Sequence, residues 1–199
     1  MQHGFLDEGA SLEVAAGRAI IPTIRSLVDA FRAKGAPVIF TEFVYADNVP
    51  CLRGDPFGVE HLPAKKGEPT GLEHPSSNCL IGPNAGEGVE SAETVEELAP
   101  LPGELVVQGH TYDKFYGTPL DLCLRSQGIT HLVATGITTD VCVSGTVISG
   151  TTRDYRVTLA TDGVASPFPD LHEAALKLLA HKFARLKTSE ELIQELASF

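Results

Sequence analysis

Basic residues are scarce in this chain. Lys and Arg number 15 against 26 Asp and Glu, giving a formal charge of −11, and no stretch gathers the basic residues into a run. That excludes a nucleic-acid partner, because neutralising phosphates needs clustered Lys and Arg. It excludes an anionic membrane surface for the same reason. Long apolar runs are missing too. None approaches the ~18 residues of a spanning helix, and the first residues lack the charged-then-apolar pattern of a secretory signal. The four cysteines show no CxxC spacing, which excludes a zinc knuckle and a disulfide framework. No Gly-x-Gly-x-x-Gly follows an apolar run, so a dinucleotide-using oxidoreductase is a poor reading. What remains is an acidic domain of a reducing compartment, expected in the cytoplasm, that handles something small. Its 199 residues suit a single α/β domain, able to bury about 70% of its unfolded surface.

Short apolar runs alternate with amphipathic stretches. Pro37-Val38-Ile39-Phe40-Thr41, Glu104-Leu105-Val106-Val107, His131-Leu132-Val133-Ala134-Thr135 and Arg156-Val157-Thr158-Leu159-Ala160 read as strands, with Phe183-Ala184-Arg185-Leu186 a short fifth. Ile20, Ile21, Ile24, Leu27, Val28 and Phe31 recur at helical spacing, and Gly35 stops that helix. Further helices are expected over 120–127, 140–153, 170–181 and 189–197. Glu93-Thr94-Val95-Glu96-Glu97 reads as an acidic helix start, where carboxylates suit the positive end of the dipole. Strands separated by helices imply right-handed parallel crossovers, hence a three-layer αβα domain with a parallel sheet covered on both faces. Residues 46–88 break the pattern: they hold Pro50, Pro56, Pro63, Pro69, Pro75 and Pro83 without clear periodicity, and stay within the single domain 1–199 as a functional loop or an insertion.

In such a sheet, ligands gather beyond the carboxyl ends of the strands. Those ends carry Glu42, Gly109-His110, Gly136-Ile137-Thr138-Thr139-Asp140-Val141-Cys142 and Asp162-Gly163. Cys142 stands out because it follows a strand and a tight polar turn and opens a helix. A helix N-terminus lowers a thiol pKa through unpaired N–H groups and the macrodipole, and the same groups can hold an oxyanion. The competing reading is a small residue packing the helix onto the sheet. Cys123, inside Leu120-Asp121-Leu122-Cys123-Leu124, reads as core, and Cys51 and Cys79 as incidental.

Tyr112-Asp113-Lys114-Phe115-Tyr116-Gly117-Thr118-Pro119-Leu120-Asp121 and Gly136-Ile137-Thr138-Thr139-Asp140-Val141-Cys142-Val143 resemble motifs of the isochorismatase-like cysteine hydrolase superfamily. So do Leu124-Arg125, Gly128-Ile129, Arg153-Asp154-Tyr155 and Thr161-Asp162. Met1-Gln2-His3-Gly4-Phe5 is similar to the part of that family's N-terminal motif that follows its first strand. The relevant members are of the nicotinamidase, N-carbamoylsarcosine amidohydrolase and ureido-amidohydrolase types. The resemblance implies hydrolysis of a small amide, carbamoyl or ureido compound through a Cys thioester, and a homodimer or homotetramer. It makes Cys142 the nucleophile and the Thr138 and Cys142 backbone amides the oxyanion hole, with a cis bond at Ile137–Thr138. Phe115 would line the substrate pocket, with simple packing the competing reading; Glu42, read from its place at a strand end, could meet an ammonium or amide N–H or stand as a solvated strand end. No cofactor is implied. No catalytic metal is expected either, because Thr41-Glu42-Phe43-Val44-Tyr45 lacks the His of the family's Asp-x-His site, and His61 and His74 lack ligand spacing.

Two positions depart from the family pattern. The family's Asp stands immediately before the Met-Gln pair, where this chain begins, so the register leaves out that Asp and the first, central strand. The family's Lys stands eight residues before the Gly of Gly-Thr, and counting back from Gly117 reaches Gly109; Lys114 falls five positions later. Three explanations stay open: a longer natural N-terminus, a replacement at Gly109 that disables or reshapes the site, or a domain that binds or assembles without catalysing. His110, beside Gly109, is a candidate alternative base or a polar loop residue.

Overall fold

The computed structural model describes residues 1–10, 13–44 and 92–198. The proline-rich stretch 46–88, with Cys51, Cys79, His61 and His74, lies outside the described residues. The elements run α1 (His3–Leu6), α2 (Ala15–Ala19), α3 (Ile21–Ala33), β1 (Ile39–Phe43), β2 (Leu105–Gly109), α4 (Leu120–Ser126) and β3 (His131–Ile137). They continue through α5 (Ser144–Thr152), β4 (Arg156–Ala165), α6 (Pro169–Lys182), β5 (Arg185–Lys187) and α7 (Ser189–Ala197). Each strand read from the sequence is present, with its ends displaced by at most five residues. Around Glu93 the expected helix start is only a 3₁₀ turn, Glu96–Leu98, because Thr94 is drawn into an isolated bridge with Gln2. No described helix is long and apolar enough to cross a membrane.

All strand pairs are parallel: β1 with β2, and β3–β4–β5 in that order. Successive residues of β4 show how the layers form. Leu159 packs into the larger core with Val107, Leu124, Val147 and Leu179, so α4, α5 and α6 cover that face. Ala160 joins Leu27 of α3 and Leu192 of α7 on the other. Strand alternation thus produces three layers, as the sequence implied. At their ends α3 and α7 follow local chemistry: Gly35 leaves α3 at φ +67°, and Thr188 with Glu191 forms a capping box on α7.

The two sheets are separate. Among the described residues β1 pairs only with β2, and β3 only with β4. A cavity of about 390 Å³ lies between them, lined by Val38, Ile39, Phe40 and Thr41 on one side and by every residue of β3 on the other. Consecutive residues of a strand share a wall only at its edge, since its faces alternate. The cavity therefore runs along two strand edges.

One ion pair ties α3 to the entry of β2. Arg32 donates to Glu104 through Nε (2.8 Å) and Nη2 (2.7 Å), with both side chains mostly buried. The Arg32 hydrogen bonds hold the Glu104 carboxyl below its ordinary value of 4.5. A carboxylate depressed on folding contributes stability above its unfolded pKa and loses it as pH falls through the folded value. The expected contribution is about 1 kcal/mol. Melting followed from pH 7 down to pH 3 should show a shallower acid-side fall for Glu104→Gln than for the wild type.

Candidate active site

The carboxyl ends of β1 and β3 border the cavity, at Phe43 and Ile137. At the end of β3 the chain changes course within a few residues. Gly136 takes φ +115° at a register shift against β4, a conformation that disfavours any residue with a Cβ. The Ile137–Thr138 peptide bond is cis. Residues Thr139–Val143 then form a π turn that leads into α5. The sequence reading had one helix over 140–153; the structure divides it, because the Thr138 carbonyl accepts from the Val143 N–H at 3.1 Å, five residues on. Ser144 Oγ donates to the Thr139 carbonyl at 2.6 Å, and Thr139 Oγ1 contacts His172 Nδ1 of α6 at 2.9 Å, so the turn is anchored at both ends.

Cys142 sits in that turn, half-buried, on the cavity wall. The sequence reading expected a helix N-terminus to lower its pKa. In the structure burial dominates and pushes the thiol up, while the Lys114 charge and a hydrogen bond with the Thr138 backbone pull it down. The turn ahead of α5 faces an apolar cavity, where a thiolate loses hydration. Alkylation of Cys142 by iodoacetamide should therefore still climb with pH at about pH 9. A plateau near neutral pH would contradict the raised value.

The loop between β2 and α4 brings in a residue the sequence register had set aside. Lys114 is 3% exposed. Its Nζ donates to the carbonyls of Glu42 (3.1 Å) and Gly109 (3.0 Å), the ends of β1 and β2, and lies 5.1 Å from the Phe43 ring centroid. Lys114 thus reaches back five residues to the position where the family pattern places its lysine. Helix α5 fixes the loop's course. Asp113 accepts from the Phe115 N–H (2.8 Å) and from Ser149 Oγ (2.7 Å), and Thr146 Oγ1 takes the Lys114 N–H (3.2 Å) and donates to the Tyr112 carbonyl (3.1 Å). The signal available in the sequence was a lysine beside Phe115 at a position where the family commonly has a small residue.

The remaining candidates fall differently. Glu42 is buried, but its carboxylate accepts from Thr94 Oγ1 and Gln108 Nε2, each at 3.0 Å, and does not line the cavity. Its neighbours Thr41 and Phe43 line the cavity, while the bonds to Thr94 and Gln108 hold the Glu42 carboxylate off the wall. His110 is half-buried after β2 and is likewise off the cavity wall. Phe115 is 5% exposed and belongs to the main core, yet it also borders the cavity. Thr138 precedes the π turn, and Gly109 is buried at the end of β2. Among the described residues no carboxylate lines the cavity, so its polar end carries a thiol, an ammonium and backbone amides.

The family model described as "Isochorismatase domain" matches residues 1–191. The ureidoacrylate amidohydrolase RutB of Methylobacterium radiotolerans is 32% identical over 197 residues, covering 98% of this chain and 71% of that protein. Among solved structures, an isochorismatase family protein from Desulfovibrio vulgaris superposes with a TM-score of 0.78 at 25% identity, covering 99% of this chain and 94% of that one. The N-carbamoylsarcosine amidase of Thermoplasma acidophilum superposes with a TM-score of 0.63 at 25% identity, covering 89% and 87%.

Proposed function

The chain belongs to the isochorismatase family, and on that premise we propose that it hydrolyses a C–N bond in a small amide, carbamoyl or ureido compound, with Cys142 as nucleophile. The observation that carries this reading is the placement of the Cys142 thiol. It stands on the cavity wall, in a turn rich in backbone N–H groups, beyond the end of a parallel strand. The amidohydrolase names of the ureidoacrylate and N-carbamoylsarcosine relatives support the bond type.

In the proposed reaction Cys142 Sγ adds to the substrate carbonyl carbon, and the Thr138 and Cys142 amides hold the oxygen as it becomes an oxyanion. The C–N bond breaks, the thiol proton ends on the departing nitrogen, and the acyl group stays on sulfur as a thioester. Water then adds to the same carbonyl, the S–C bond breaks, and a proton returns to sulfur. The sum is substrate plus water giving acid plus amine. A raised thiol pKa fits a sulfur that keeps its proton until a carbonyl is in place.

Intact mass after mixing with amide, carbamoyl and ureido compounds tests this. An acyl adduct on Cys142, absent from Cys142→Ser, is expected from at least one class. Neither adduct nor released amine across all three would overturn the reading. A second reading, binding without turnover, draws on one observation: no carboxylate among the described residues lines the cavity to carry the proton. Saturable binding with no adduct would favour it.

A further inference from the structure

We infer that Lys114, from the loop after β2, supplies the positive charge that makes Cys142 reactive, standing in for a lysine at position 109. The inference deepens the hydrolase reading and rests on it.

Three observations converge. First, Lys114 is among the most buried polar residues described, and a buried ammonium is costly unless dipoles or an anion compensate it. Here the two strand-end carbonyls and the Phe43 ring hold it in one place. Second, it lines the same cavity as Cys142. Third, of the influences that oppose burial at the thiol, the Lys114 charge is the largest. The other charges that reach the sulfur are the Met1 amino group, acting in the same direction, and Asp140 of the π turn, acting against it. On α6, His172 faces Thr139 and not the sulfur.

Position 109 explains why the charge arrives from elsewhere. Gly109 has no side chain, and a Cβ there would meet Thr118 Cγ2 at 3.0 Å. The loop brings Lys114 Nζ to the Gly109 carbonyl instead, so the ammonium sits at the end of β2 although its backbone is five residues on. Asp113, Ser149 and Thr146 hold the loop in that course. Lys114 is a positioning residue for charge: it acts on substrate through the sulfur.

Alkylation by iodoacetamide tests this without any substrate, so failure of the hydrolase reading would leave the result interpretable. Rates at Cys142 are followed from pH 6 to 10 by peptide mass, with Cys123 in the same molecule as the control for intact folding. Lys114→Gln keeps amide donors for the two carbonyls and removes the charge. It is expected to slow Cys142 about tenfold at pH 8, one pKa unit, and to leave Cys123 unchanged. Lys114→Arg keeps the charge and should stay within about threefold of the wild type. Lys114→Ala combined with Gly109→Lys returns an ammonium from β2 and should recover most of the loss. A Cys142 profile in Lys114→Gln that matches the wild type, or equal slowing in the glutamine and arginine variants, would overturn the inference. Should Lys114→Gln fail to fold, Lys114→Ala alone is compared with Lys114→Ala combined with Gly109→Lys: faster Cys142 alkylation in the double variant is expected, and equal rates in the two would overturn the inference.

Discussion

Cys142→Ala should lower kcat/KM for any substrate the wild type turns over by at least about 10³-fold, with melting nearly unchanged. Loss of a covalent nucleophile removes the whole two-step path, and only binding and oxyanion contacts remain. The cost to the fold is small because Cys142 is half-buried in a turn whose hydrogen bonds are made by the Thr138 and Thr139 backbone and by Ser144. Serine is the sharper control. It nearly keeps the size and puts a hydroxyl in place of the thiol, yet that hydroxyl is far harder to ionise in a cavity that already pushes a thiol up. Both variants should therefore lose turnover while keeping binding, and KM or a ligand-induced shift in melting reads the latter. If Cys142→Ala keeps more than a tenth of the wild-type rate, sulfur is not the attacking atom.

The strands were legible because apolar, β-branched runs next to glycine and proline have few other ways to be satisfied. Helix α7 spans the residues expected of it, and the Thr188–Glu191 capping box marks its start chemically. The π turn was not. Its apolar spacing is that of an α-helix, and what separates the two is which N–H reaches the Thr138 carbonyl. The charge at the site was hidden for a different reason. Counting from Gly117 gives the place of a backbone atom, whereas a lysine's ammonium lies several bonds from its Cα. A loop that folds back lets Lys114 serve the end of β2 from position 114. Glu42 shows the opposite error. It stands at a strand end as counted, but its carboxylate is taken up by Thr94 and Gln108 and does not line the cavity. The cavity itself depends on the distance between two sheets, which no local pattern encodes.

Phe115→Ala should be the most destabilising single change near the site, by about 3–5 kcal/mol. The ring is 5% exposed and stacks on Tyr155 with centroids 5.6 Å apart. The Arg153 guanidinium lies 5.1 Å from its centroid. Helix α5 approaches it through Gly150, where a Cβ would come within 3.2 Å of Phe115 Cε2. Removing the ring leaves a void that a glycine cannot fill and strips two partners of their aromatic contact. In a domain of this size each kcal/mol is worth about 2–4 °C, so a fall of roughly 10 °C in Tm is expected. Catalysis should fall with it, because Phe115 adjoins Lys114 in the loop and borders the same cavity as Cys142. Phe115→Leu separates packing from substrate contact. Leucine restores most of the volume, so a packing role predicts a loss of about 1–2 kcal/mol with KM within about threefold of the wild type. A substrate-contact role predicts a raised KM at nearly unchanged Tm. The ring's membership of the main core makes the first outcome the expected one.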